Sequence, residues 1–242
     1  MRIKLTIEYD GTFYSGWQIQ ENAITVQQVI EVAISSLTKE TVKLTASGRT
    51  DAGVHALGQV AHFDTNSTIP PEKFKDAINS KLPSDIRIKK SELVSEEFSA
   101  MNSAKKKTYE YRFYVGEYSP LNSRYAFCVK SLDIPLIKKA VKNIVGTHDF
   151  EAFSVTGSPR KTTVRTVYKI KIKKSGNFVS VFVTGNGFLY NMVRLICGAL
   201  KAVSDKKITP SDIKKILETK NRPSSIIPLP ANGLTLVEVN YD

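Results

Sequence analysis

Cysteine is scarce. Cys128 and Cys197 are the only two in 242 residues. They stand alone, without the CxxC spacing of a zinc ribbon or redox motif. That excludes a disulfide framework and makes a reducing cytoplasm the expected compartment. His55, His62 and His148 have no metal-ligand spacing either, so no metal is expected. No apolar run is long enough to cross a bilayer, and no membrane role is expected. No GxGxxG follows a strand, and no GxxxxGK precedes a Ser or Thr, so no nucleotide cofactor is implied. Acidic residues are also few: 23 Asp+Glu stand against 35 Lys+Arg, a formal net charge of +12. A basic surface serves solubility, but an excess of this size also suits a polyanion, whose phosphates release counterions on binding. The basic residues lie inside folded-looking segments rather than in a tail, which points to a shaped groove.

With 41% hydrophobic residues the chain has material for one large core or two smaller ones. The start alternates at once, Ile3, Leu5, Ile7 and Tyr9 against Arg2, Lys4, Thr6 and Glu8, which reads as a strand rather than a signal peptide. Thr25 and Gln28 form a capping box before a helix with Val26, Val29, Ile30, Ala33, Ile34 and Leu37 on one stripe. Pro70 and Pro71 open a second helix that Pro83 closes. Strands are predicted near Val42–Ala46, Gln59–Phe63 and Asp85–Ser91. Lys107–Val115 alternates, Asp133 caps a helix stopped by Gly146, and Val164–Lys173 with Asn177–Thr184 forms a hairpin around Ser175 and Gly176. Helices follow from about Leu189 to Val203 and after Pro210, then a closing strand, Leu234–Tyr241. The order predicts an α+β fold, largely antiparallel, in two similar halves: 1–103 and 104–242.

The stretch SGRTDAGVHALGQVAHF, Ser47–Phe63, sets one Asp on a Gly-flanked bend beside an Arg. Asp51 there either folds back on its own backbone as an Asx turn or serves chemistry. Arg49 two residues away favours its ionised form. Gly48 and Gly53 allow a sharp turn and close approach of a ligand. An ionised Asp acts as nucleophile or general base. The motif holds no second acid of the kind a retaining glycosidase pairs with it. One carboxylate suffices when the leaving group delocalises its own charge, as uracil does on leaving C1′ of a ribose. Tyr109 and Tyr111 follow Lys105, Lys106 and Lys107. Aromatics on one strand face fill a core, and beside basic residues they also stack on unpaired bases. Both hold if Tyr109 sits at the rim and Tyr111 turns inward. Arg194, among apolar neighbours at the end of GNGFLYNMVR, needs a partner, either a functional carboxylate or a structural ion pair.

GRTDAGVHALGQVAHF closely resembles the signature of the tRNA pseudouridine synthase A family. EYDGTFYSGWQIQ, INSKLPSDIRI, KKKTYEYRFY, GTHDFEAF, TVRTV, GNGFLYNMVR and NGLTLVEVNY follow in family order, so the resemblance spans essentially the whole chain. It implies a pseudouridine synthase fold, two α+β halves joined through a mixed, mainly antiparallel sheet with the active cleft between them. It also implies isomerisation of uridine to pseudouridine in tRNA without cofactor or metal, usually at anticodon-arm positions 38–40, by a homodimer that cradles the tRNA. Asp51 matches the essential aspartate, Tyr109 the tyrosine that stacks on the target base, and Arg194 the arginine paired with the carboxylate. Arg49 matches the arginine implicated in drawing the nucleotide out. Leu234 matches the apolar residue beneath the base, and Lys105 and Lys107 fall in the substrate-binding stretch. Two segments depart from the family pattern. EFSAM places Ser99 and Met101 where FHAR is common, and SSIIPLP (Ser224–Pro230) replaces a small-residue run. Neither is expected to touch the catalytic positions. A paralogue acting on other uridines, or an RNA-binding protein with a vestigial site, is the competing expectation.

Overall fold

The computed structural model describes residues 1–155 and 162–242. It comprises two compact units, Met1–Lys105 with Thr235–Asp242, and Lys106–Leu234. In chain order the first runs β1 (Arg2–Tyr9), α1 (Val26–Thr38), β2 (Thr45–Ala46), β3 (His55–Asp64), α2 (Phe74–Asn79) and β4 (Ile86–Val94). The second holds β5 (Lys106–Val115), α3 (Pro120–Ser123), β6 (Phe127–Val129), α4 (Ile134–Val141), β7 (Gly146–Asp149), β8 (Val164–Ser175), β9 (Phe178–Gly185), α5 (Met192–Ser204) and α6 (Asp212–Thr219). β10 (Leu234–Asn240) closes the chain. The class is α+β, as the sequence predicts.

In the first unit the strands stand in the order β4-β1-β3-β10, with β2 also on β3. β1 is antiparallel to both β3 and β4. β10 runs parallel to β3, Thr235 opposite His55 and Leu236 opposite Ala56. The alternation of β1 buries Ile3, Leu5 and Ile7 completely. Each such side chain contributes roughly 1.5–3 kcal/mol by leaving water. α1 begins where Thr25 Oγ1 accepts from the Gln28 N–H at 3.4 Å and ends at Lys39 in the left-handed region, φ 62°. Its stripe buries Val26, Ile30, Ala33 and Ile34.

α2 is shorter than its apolar spacing predicts. A 3-10 turn occupies Pro71–Lys73, and the α-helix stops at Asn79. Asn79 spends its amide on β4 instead, donating to the Ile88 carbonyl at 2.9 Å and accepting from the Ile88 N–H at 2.8 Å. That pairing fixes the helix end against the strand.

In the second unit the order is β5-β9-β8-β7, all antiparallel, with β6 parallel on β5. Val179, Val181 and Val183 of β9 and Tyr111 and Phe113 of β5 are buried. α5 is apolar on nearly every side and supplies the centre of this core. Gly198 lies so close to the Ile227 carbonyl that a Cβ there would collide with it. The β8–β9 hairpin turns at Gly176, φ 57°. A bulge between Val167 and Lys169 shifts the β8 register.

Candidate active site

The Asp51 bend joins β2 to β3 and is anchored by hydrogen bonds at Ser47, Gly48 and Thr50. Gln59 of β3 is fully buried. Its Oε1 accepts from the Ser47 hydroxyl at 2.8 Å and its Nε2 donates to the Gly48 carbonyl at 2.9 Å. The Ser47 N–H donates to the Val60 carbonyl at 2.7 Å. The Thr50 hydroxyl shares a buried hydrogen bond of 2.7 Å with Tyr9, and the Thr50 carbonyl accepts from the Trp17 N–H at 3.1 Å. The bend closes with Val54 N–H on the Asp51 carbonyl at 3.1 Å. Ser47 and Thr50 therefore face inward and are buried, Arg49 is exposed and Asp51 half-buried.

Glycine makes this packing possible. Gly16 has φ +87°, and a Cβ on it would come within 2.6 Å of the Thr50 carbonyl. The 11–17 loop lies against the bend, since the Gly53 N–H donates to the Tyr14 carbonyl at 3.3 Å. Only a residue without a side chain lets two backbones approach so closely.

Tyr9 is buried, and its hydroxyl titrates far above the ordinary tyrosine range because burial penalises the phenolate. It works as a hydrogen-bonding anchor. His62 is likewise structural. Burial foremost lowers its pKa, and its Nδ1 accepts from the Ala100 N–H at 3.1 Å. Among the described residues no group of three or more His, Cys, Asp or Glu is placed to hold a metal ion.

The second unit carries the aromatic and the buried arginine. On β5, Tyr111 is fully buried and donates to the Pro230 carbonyl at 2.9 Å. Tyr109 is half-buried, its ring edge-on to Phe188 at 5.3 Å and 88°. Lys107 lies on the same strand face, opposite Gly185. Burial first, and Arg165 second, push its ammonium down to about 8. Lys105 belongs to the first unit, is exposed, and ties down through its N–H to the Asn240 carbonyl at 2.8 Å. Leu234 is buried at the start of β10.

Arg194 occupies the first turn of α5. Its Nε donates to the Leu229 carbonyl at 2.6 Å, and its Nη1 donates to Asn191 Oδ1 at 2.5 Å. Asn191 holds a left-handed φ of 60°. The Leu229 N–H returns to the Arg194 carbonyl at 3.4 Å. This corrects one expectation. The departing SSIIPLP segment does touch one of the predicted positions, since its Leu229 carbonyl accepts from Arg194; its Pro230 carbonyl holds the core residue Tyr111.

Arg49 and Asp51 thus share one anchored bend in the first unit. Lys107, Tyr109, Arg194 and Leu234 belong to the second. Sequence reasoning passed over the supports: Gln59, Tyr9, Thr50, Phe188, Asn191 and Leu229. Gln59 left a usable signal, a lone amide set between the apolar residues Leu57 and Ala61 of its strand. Leu229 left none, because it acts through its backbone.

The sequence has relatives among known proteins. The family model for tRNA pseudouridine synthases matches residues 5–100 and 140–242. A tRNA pseudouridine synthase A of Thermoanaerobacter sp. (strain X514) is 44% identical over 241 residues, covering 99% of each chain. One from Ruminiclostridium cellulolyticum is 48% identical over 243 residues, again 99% of each. A Clostridium perfringens protein named tRNA pseudouridine synthase A 2 is 48% identical over 241 residues, with the same coverage. Matched over nearly its whole length, the chain belongs to the tRNA pseudouridine synthase family, enzymes of the isomerase class.

Proposed function

We propose that the chain converts uridine to pseudouridine in the anticodon arm of tRNA, at positions 38–40, with Asp51 as the catalytic carboxylate. The N1–C1′ bond breaks, the uracil turns in place, C5 bonds to C1′, and the C5 proton is removed as N1 gains one. Two routes fit one carboxylate: attack of Asp51 on C1′, or removal of the C2′ proton to a glycal. Either needs the nucleotide out of its stack, at roughly a few kcal/mol. Arg49 promotes that extrusion from its exposed place on the bend, and Lys105 and Lys107 offset the cost by holding phosphate. Tyr109, with Phe188 against its ring, stacks on the extruded base and takes the C5 proton. Leu234 packs beneath the base. Arg194 serves as the arginine of the catalytic machinery, and the working particle is a homodimer. The chemistry asks for no cofactor and no metal, because uracil leaves with its charge delocalised.

The observation that carries this reading is the bend itself. Side-chain hydrogen bonds hold Ser47, Gly48 and Thr50, which leaves Arg49 exposed and Asp51 half-buried on a fixed backbone. The test is incubation with unmodified tRNA followed by chemical mapping of pseudouridine. Asp51→Asn is expected to abolish product while tRNA binding persists. Product formed by Asp51→Asn removes the carboxylate from the mechanism, and lost binding assigns Asp51 a structural role. The C. perfringens and C. tetani relatives, both 48% identical, carry the number 2 in their names. Site choice is therefore the point on which mapping decides between positions 38–40 and a paralogue's uridines.

A further inference from the structure

The first unit leaves one aromatic side chain largely in water. Phe13 is 74% exposed, while the other aromatic residues described in that unit are buried or half-buried. Exposure forgoes the stabilisation that burying a phenyl ring brings. A lone exposed apolar residue is ordinary on a protein surface. What singles out Phe13 is the backbone beneath it.

Phe13 stands at the tip of a turn that the Tyr14 N–H closes on the Gly11 carbonyl at 3.0 Å. Asp10 braces the turn, its Oδ1 accepting from the Thr12 N–H at 3.0 Å and from the Thr12 hydroxyl. Both ends are fastened to the Asp51 bend or to the strand leaving it. The Gly11 N–H donates to His55 Nδ1 at 3.1 Å, and a Cβ on Gly11 would lie 2.0 Å from the Val54 carbonyl oxygen. The Tyr14 carbonyl accepts from the Gly53 N–H at 3.3 Å, and the Trp17 N–H donates to the Thr50 carbonyl at 3.1 Å. The Tyr14 hydroxyl donates to Asp85 at 2.8 Å and pins the outer side. Phe13 therefore rides on the same braced stretch of backbone as Arg49 and Asp51.

Extrusion of a uridine leaves a gap in the base stack, and the bases on either side lose a stacking partner. Apolar side chains inserted at a base step hold such a gap open. Aromatic rings also stack on bases whatever their sequence, because every base has a π-face. A phenyl ring held in solvent beside the bend meets both requirements.

We propose that Phe13 is a wedge: it enters the RNA stack at the step that the extruded uridine vacates and stacks on a flanking base. Arg49 promotes departure of the nucleotide, and Phe13 opposes its return. Phe13 is not among the residues assigned to the reacting nucleotide. The inference rests on the reading that the chain isomerises an extruded uridine, and its test separates the two ideas.

Single-turnover pseudouridine formation is measured at saturating concentrations of two unmodified tRNA transcripts. In one, the target uridine is paired in the anticodon stem; in the other, its partner base is changed to leave a mismatch. The parent is compared with Phe13→Ala and Phe13→Trp, and all three proteins are run on size exclusion. Phe13→Ala is expected to slow the paired transcript roughly ten- to a hundredfold, the span of one lost base–aromatic stack. Its loss on the mismatched transcript is expected to be small, because a mismatched base costs least to extrude. Phe13→Trp is expected to restore the paired rate. Equal losses on both transcripts assign Phe13 to the fold and overturn the wedge. A changed oligomeric state in Phe13→Ala marks the ring as a contact between copies and overturns it as well. A parent active on both transcripts and matched by Phe13→Ala overturns the wedge alone. A parent that makes no pseudouridine in either overturns the functional reading, and the wedge with it.

Discussion

Replacing Gln59 with leucine keeps volume and removes both ends of the clamp beneath the Asp51 bend. The Ser47 hydroxyl loses its 2.8 Å acceptor and the Gly48 carbonyl its 2.9 Å donor. A polar group left buried without a partner costs roughly 1–3 kcal/mol. Ser47 is buried and Gly48 half-buried, so the sum is about 2–4 kcal/mol. That is a large share of the roughly 5–15 kcal/mol holding a domain together, but it leaves the protein folded. The catalytic loss is expected to be larger than the stability loss suggests. A bend freed at residues 47 and 48 displaces Asp51, and a misplacement of about 1 Å costs on the order of a hundredfold in rate. Urea unfolding and single-turnover pseudouridine formation at saturating tRNA measure the two effects separately. Gln59→Glu supplies the sharper control. A protonated carboxyl still donates to Gly48 and accepts from Ser47, whereas a carboxylate faces the Gly48 carbonyl with a second acceptor. Burial raises that carboxyl above the ordinary value of about 4.3. Its protonated, competent form is present below the raised pKa and lost as pH rises through it. Activity relative to the parent should therefore fall with rising pH. Parental turnover in Gln59→Leu, or a Gln59→Glu ratio independent of pH, refutes the anchoring argument.

Gly16→Ala puts a Cβ 2.6 Å from the Thr50 carbonyl at φ +87°. The left-handed backbone alone costs roughly 1–2 kcal/mol, and relief of the clash moves the bend, so melting temperature and turnover should both drop; unchanged turnover counts against the tight packing. Lys107, depressed to about 8 by burial and Arg165, is charged below that pH and neutral above it. kcat/KM for tRNA should decline as pH rises through about 8, and Lys107→Arg should carry the limb to higher pH; a profile identical in both proteins dissociates Lys107 from substrate capture.

Much of the fold is legible in one dimension where a single element carries its own signal. β1 shows its period of two, α1 its Thr25 cap and apolar stripe, and the β8–β9 hairpin its Ser-Gly turn. The short pieces α3, β6 and β7 escape notice. Three or four residues hold too few side chains for a period, and they exist because neighbouring strands supply hydrogen-bond partners. α2 is over-read because Phe74, Ala77, Ile78 and Leu82 keep helical spacing, while the Asn79–Ile88 pairing that ends it lies in tertiary contact. The same division holds at the candidate site. Arg49 and Asp51 are visible as charges on a Gly-flanked bend. Tyr9 reads as one more strand aromatic, and only the fold reveals its hydroxyl beneath Thr50.

Leu229 lies between Pro228 and Pro230. A residue before proline is confined to extended backbone conformations, so its peptide oxygen is aimed before Arg194 reaches it. The guanidinium reads the path of the main chain and is blind to which side chain hangs from it. Drift in the lettering of this segment is thus compatible with an unaltered grip, and resemblance between two such proteins is better judged there by where the prolines fall than by identity counts.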